Sequence, residues 1–181
     1  MPLTGPEKDE LLMIARAAIV AHVKGTDPEA EKVWTSENLL KDSGAFVSIH
    51  KQGRLRGCIG IFASPTPLYK TVFDMAVAAA SQDPRFPPVD ESELKYIKIE
   101  ISVLSPLKEV KDPSEIEIGK HGIYIIKGAN RGVLLPQVAM EYGFNREEFL
   151  DQTCLKAGLP GGSWRKGAAI FIFDAEILKE P

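Results

Sequence analysis

The stretch RLRGCIGIF, residues 54–62, sets Cys58 after Arg54 and Arg56 and between Gly57 and Gly60. Guanidinium groups beside a thiol favour the thiolate, which is the nucleophilic form. Glycines on either side leave room for a ligand or a second backbone to come close. The competing reading is packing, because free cysteine is among the most buried residue types and often serves as a small apolar filler. A nucleophilic thiol needs a base within hydrogen-bond reach. His121, in GKHGI at 119–123, lies in a loop before a strand, where site residues collect, and could complete a Cys58–His121 pair. An exposed loop histidine before a turn glycine is the alternative.

The second candidate is Arg85 in DPRFPPV, residues 83–89. Three prolines stiffen that loop, so the guanidinium is presented with little entropy left to lose, and it suits a carboxylate or a phosphate. The alternative has Arg85 paired with Asp83 or Asp90 while Phe86 plugs the core. Arg54, Arg56 and Arg85, with Lys127 or Arg131, could form one anion-binding surface, although scattered arginines are more often solvated. Glu100 has no carboxylate partner in the sequence. PGGSW at 160–164 lacks the lysine and hydroxyl order of a phosphate-binding loop, and no GxGxxG, GxSxG, HExxH or calcium loop is present.

Composition narrows the classes. The net charge of −3 gives no overall basic field for nucleic acid, though a local patch stays open. Cys58 and Cys154 form no CxxC and no Cys/His cluster, so neither zinc nor a disulfide framework is expected, no metal site is assigned, and no cofactor can be named. The N-terminal MPLTGPEKDELL is charged where a signal peptide needs an apolar core, and no apolar stretch is long enough for a membrane span. With two thiols, this predicts a cytoplasmic protein that does not enter a membrane.

The elements that must position these residues follow from periodicity. Thr4 to Glu7 reads as a capping box, and Leu11, Leu12, Ile14, Ala15, Ala18, Ile19 and Val23 recur at helical spacing until Gly25 and Asp27-Pro28. His22 ends that stripe and carries no chemistry. GAFVSIHKQGRLRGCIGIF is a hairpin with Ala45, Val47, Ile49, Leu55, Ile59 and Ile61 on one face. Opposed residues of equal parity need a three-residue loop, Lys51-Gln52-Gly53, which pairs His50 with Arg54, Ser48 with Arg56 and Phe46 with Cys58. That register sets His50 about 13 Å along the strand from Cys58 and excludes it as the base. A helix spans about 67–81, with Leu68, Val72, Met75, Ala76 and Ala79 on one face, closed by Asp83-Pro84. YIKIEISVL alternates as a strand, a second hairpin turns near Ala129-Asn130, a short helix follows Pro136, a capped helix runs from Asn145 to Gly158, and AAIFIFDAEI closes as a strand. Hairpins mixed with helices, without a βαβ rhythm, predict an α+β fold: an antiparallel sheet built from hairpins with helices packed on it. The absence of repeats and linkers predicts one domain over 1–181, with a smaller second lobe sharing the chain.

These residues resemble the AMMECR family. LRGCIG (55–60) matches its hallmark, and DPRFPPV (83–89), EISVLSP (100–106), GKHGI (119–123), LLPQVA (134–139) and FL through KAGL (149–159) follow in the same order, covering Leu11 to Glu176. The resemblance implies a single α+β unit with a smaller lobe and motif residues gathered near a cleft. It implies a pathway shared with Memo-type and radical-SAM proteins, and no assigned reaction. It also makes site membership for Cys58 easier to explain than packing. The expected site joins the 54–60 strand, the 83–89 loop and the His121 loop: Cys58 as nucleophile or acid/base, His121 moving protons, Arg56, Gly57, Gly60, Arg85 and Phe86 holding a small anionic or phosphate-bearing substrate. The rival expectation is a binding module that uses the same surface for a protein or nucleic-acid partner, with Cys58 as packing.

Overall fold

Mixed hairpins and helices give an α+β chain with antiparallel strands, and the computed structural model describes residues 2–26 and 36–181 of it. Its contacts divide into two units: one runs to Leu104 and takes back Glu176–Pro181, the other is Ser105–Ala175.

In the first unit, helix α1 (Gly5–Lys24) starts at the capping box, where the Thr4 amide donates to Glu7 Oε2 at 2.7 Å, and ends at Gly25 with φ +64°. The Asp27-Pro28 stop signal lies outside the described residues. A short helix, α2 (Glu37–Leu40), follows Ser36. The Ser36 hydroxyl and the Thr4 amide hold the Glu7 carboxyl down at about 2. Strands β1 (Ala45–Lys51) and β2 (Arg54–Ile61) form the first hairpin, α3 (Leu68–Ser81) follows, and β3 (Ile97–Leu104) pairs with the other side of β1. Ala45, Val47 and Ile49 of β1 and Ile97, Ile99 and Ile101 of β3 turn to one face and are buried in one cluster with Leu11 and Ile19 of α1 and Val72, Ala76 and Ala79 of α3. Both helices therefore cover the odd-numbered face of β1, as the alternation requires. Met75 of α3, expected on the buried stripe, is only half-buried.

The hairpin turns more tightly than the sequence suggested. Lys51 pairs with Arg54, so the loop is Gln52-Gly53, with φ +53° and +75°. Two left-handed residues make the turn whose twist matches that of the strands. A bulge then restores parity: His50 pairs with Leu55 but Ile49 with Gly57, so Arg56 is the extra residue. Beyond it Ser48 faces Cys58 and Phe46 faces Gly60, which replaces all three expected pairings. Leu55, on the turn side of the bulge, loses its place on the core face and is 39% exposed. Gln52 pays a steric cost for its left-handed backbone that asparagine tolerates better. Gln52→Asn is therefore expected to stabilise the protein by about 0.5 kcal/mol, read as a higher urea midpoint. An unchanged midpoint would argue against strain at this turn.

The second unit contains β4 (Lys108–Val110), β5 (His121–Lys127), β6 (Asn130–Leu134), α4 (Pro136–Tyr142), α5 (Arg146–Lys156) and the first part of β7 (Ala169–Lys179). Strand β7 lies between β4 and β5, and β5 pairs with β6, all antiparallel. The sequence reading missed β4, three residues after the break at Pro106, too short for a period to register. Asn145 Oδ1 accepts from the Glu148 amide at 3.0 Å and the Asn145 amide donates to Glu148 Oε2 at 2.9 Å, the expected capping box of α5. Phe149, Leu150 and Cys154 of that helix are buried with Ile123, Ile125, Ile170 and Ile172. Among the described residues no helix is long and apolar enough to cross a membrane.

Candidate functional site

Arg56, displaced from the ladder by the bulge, reaches across to the loop after α3. Its Nε and Nη2 donate to the two oxygens of Glu93 at 3.0 and 2.8 Å, Nη1 donates to the Pro87 carbonyl at 2.8 Å, and Nη2 to the Pro88 carbonyl at 3.1 Å. Lys51 Nζ adds a contact to Glu93 at 2.8 Å. Glu93 is 7% exposed, and the Arg56 guanidinium, helped by Lys51, pulls its carboxyl down to about 2 against the opposing effect of burial. Every nitrogen of the Arg56 guanidinium thus has a partner within the protein. Arg56 clasps the DPRFPPV loop to strand β2.

Arg85 is held differently. Asp83, 4% exposed, accepts from the Arg85 amide at 3.1 Å, from Arg85 Nε at 2.9 Å, from Arg85 Nη2 at 2.6 Å and from the Cys58 amide at 2.8 Å. The Arg85 guanidinium, with the two amides, holds the Asp83 carboxyl well below the usual carboxylate range. Strand β2 is the edge of its sheet, so the outward amide and carbonyl of Cys58 need partners. Asp83 takes the amide, and Arg85 Nη2 approaches the carbonyl at 3.4 Å. Arg85 Nη1 has no partner among the described residues, and the side chain is 55% exposed. The Phe86 ring lies 5.4 Å from the guanidinium carbon, so Phe86 supports Arg85 and is not the core plug of the alternative reading. The Asp83–Arg85 pairing anticipated from the sequence is present. The bond from the Cys58 amide to Asp83 carries no signal in the sequence, since 25 residues separate the two; the local turn signal of Asp83 points only to the Arg85 amide two residues on.

On the face of the first unit's sheet opposite the one packed on α1 and α3, the side chains stand in rows. Cys58 faces Ser48, which faces Glu100; Gly60 faces Phe46, which faces Ser102; Leu55 faces His50, which faces Lys98. Ser48 Oγ donates to Cys58 Sγ at 3.1 Å. Glu100 is paired with Lys179 at 2.9 Å. Cys58 is half-buried and is not sealed beneath Phe46. The flanking glycines answer two different approaches. A Cβ on Gly57 would stand 2.2 Å from the Ala79 carbonyl oxygen of α3, whereas one on Gly60 would stand 2.2 Å from the Phe46 ring. Gly57 thus admits a second backbone, and Gly60 lets an aromatic ring lie across the strand beside Cys58. The bulge also moves His50 to one same-face position from Cys58, about 7 Å, where the expected register had two.

His121 belongs to the second unit, where its Nδ1 accepts from the Glu117 amide at 3.1 Å and its Nε2 lies 3.7 Å from Asp174. Arg54 is exposed at the hairpin turn, Lys127 donates to the Ser163 carbonyl at 3.3 Å and Arg131 to the Ala129 carbonyl at 3.1 Å. A groove of about 530 Å³ in the second unit is lined by Val110, Lys111, Trp164, Arg165 and Ile170, among others. It takes in Trp164 of PGGSW but none of the candidate site residues, and Arg165 there is stacked on Trp164 and paired with Glu147 at 2.9 Å. A thiol, a hydroxyl, a carboxylate and an imidazole on one sheet face, with an arginine held at its edge, make the first unit the chemically richer site.

Comparison with known proteins supports the resemblance read from the motifs. A family model described as AMMECR1 matches residues 12–178. Protein MK0488 of Methanopyrus kandleri is 44% identical over 188 residues, covering 98% of this chain and 90% of that protein. Protein Mbar_A1807 of Methanosarcina barkeri is 45% identical over 186 residues, covering 98% and 92%. The crystal structure of the uncharacterized protein PH0010 from Pyrococcus horikoshii shares the fold with a TM-score of 0.90 at 34% identity, covering 98% of this chain and 93% of that one.

Proposed function

The chain belongs to the AMMECR1 family, and we propose that it binds a small anionic substrate, carboxylate- or phosphate-bearing, at Arg85 and presents it to the thiol of Cys58. The observation that carries this reading is the state of Arg85. Two of its nitrogens are fixed by a buried aspartate that also holds the Cys58 amide, and its third, Nη1, is unpartnered on an exposed edge. A guanidinium already oriented loses little entropy on binding, and its free edge offers two N–H donors to an anion. Arg56, with every nitrogen engaged, fits a structural role in this reading. The half-exposed thiol beside Ser48 favours a site over packing. The Memo-type and radical-SAM proteins of the resemblance are candidates for supplying or consuming the substrate.

The test is protection of Cys58 from iodoacetamide by millimolar inorganic phosphate, read by mass spectrometry, with chloride as the control at matched ionic strength. Phosphate is expected to slow alkylation several-fold in the native protein. Arg85→Lys keeps the charge beside Asp83 but removes the free guanidinium edge and the two-point contact with Asp83, so it is expected to abolish the protection and to lower thermal stability modestly. Alkylation of the native protein at the same rate in phosphate and chloride would sink the anion site.

A further inference from the structure

The site at Cys58 needs a group to take the thiol proton, and the sheet register supplies one that the sequence reading excluded. His50 and Ser48 are two residues apart on β1 and so project from the same face. Because the bulge at Arg56 sets Cys58 opposite Ser48, His50 and Cys58 are diagonal neighbours across the β1–β2 pair. Diagonal positions lie about 7–8 Å apart, within reach of an aromatic side chain. Among the described residues the imidazole of His50 makes no hydrogen bond or ion pair, so it is free to turn toward the thiol. His121, by contrast, has both nitrogens placed against Glu117 and Asp174.

We infer that His50 is the proton acceptor of Cys58, a deepening that rests on the anion-site reading above. In this step the S–H bond breaks, the proton passes to an imidazole nitrogen, and the electron pair stays on sulfur. The hydroxyl of Ser48, already donating to Sγ at 3.1 Å, remains on the thiolate as its hydrogen-bond donor. The charged and titratable groups around His50 come from both neighbouring strands. Lys98 stands opposite on β3, with its ammonium bonded to the Pro181 oxygen; Glu100 is the diagonal neighbour on β3, paired with Lys179; Cys58 is the diagonal neighbour on β2, where Leu55 is directly opposite. The thiolate and Glu100 thus flank the imidazolium that forms, while the opposing cations are Lys98 opposite it, Lys179 on Glu100 and Arg85 at the Cys58 carbonyl.

The experiment is the rate of Cys58 alkylation by iodoacetamide at neutral pH, with buried Cys154 as the internal measure of folding. His50→Gln, which cannot take the proton, is expected to react about 10-fold more slowly or worse, since only the thiolate is the nucleophile. His50→Ala is expected to be slow and to recover part of its rate when free imidazole is added. Wild-type reactivity in His50→Gln would overturn the inference, and so would a slow His50→Ala that imidazole does not restore, which is the mark of a structural role. Phosphate protection tests the anion site independently of His50. Phosphate protection that persists in His50→Gln while its rate is unchanged would remove His50 alone. Absence of protection in the native protein would remove the anion site, whatever the rates of the His50 variants.

Discussion

Arg56→Met is expected to destabilise the protein by about 3 kcal/mol, because it leaves Glu93 as a buried carboxylate with one cation where it had two. The substitution also strips the Pro87 and Pro88 carbonyls of their donor. Urea denaturation followed by circular dichroism reads this as a lower midpoint with an unchanged slope. The double substitution Arg56→Met with Glu93→Met removes both charges and should recover most of the loss, since a buried ion pair replaced by apolar side chains is often neutral. Recovery of none of it would mean that the clasp is not electrostatic.

The same pair fixes the sign of an acid effect. The Glu93 carboxyl is lowered from 4.5 to about 2 in the folded chain. A depressed carboxyl stabilises the fold fully above its unfolded value, and that contribution is lost as pH falls through the folded one. Stability should therefore fall between pH 4.5 and about 2, and the fall should be shallower in Arg56→Met, where the main cause of the depression is gone. Equal acid limbs in the two proteins would contradict this assignment.

Gly57→Ala is expected to lower the melting temperature by about 10 °C, corresponding to a loss of about 3 kcal/mol. The added Cβ would stand 2.2 Å from the Ala79 carbonyl oxygen and 3.3 Å from its carbon, both backbone atoms of α3. Neither can rotate away, so β2 and α3 must part along a line where Ala79 is 2% exposed. Gly60→Ala meets the near end of the Phe46 ring at 2.2 Å and the Phe46 Cα at 2.7 Å, so it too should destabilise the protein, while changing access to Cys58. A melting temperature for Gly57→Ala within about 2 °C of the native value would mean that the strand yields at no real cost.

Much of the fold was legible because it rests on local rules. The capping boxes at Thr4–Glu7 and Asn145–Glu148 start their helices where a polar side chain can meet a free amide. The alternation of Ala45, Val47 and Ile49 set the buried face of β1 before any neighbour was known. At the site, the pairing of Arg85 with Asp83 could be anticipated from a separation of two residues. The partnership of Arg56 with Glu93 could not, since 37 residues separate them and any acidic side chain nearby in space would have served.

The residues alone determined the family, the α+β class, the inward face of each strand and the candidacy of Cys58 and Arg85. Tertiary structure alone decided which side chains stand around that cysteine. Parity along a hairpin can be kept in two ways, by an odd loop or by an even loop with a bulge, and both satisfy the same apolar alternation. The chain takes the second way, with Gln52-Gly53 as its turn and Arg56 as its bulge. The register beyond the bulge differs from the odd-loop register by one row. One row decides whether Cys58 meets Phe46 and stays inert, or meets Ser48 with His50 beside it.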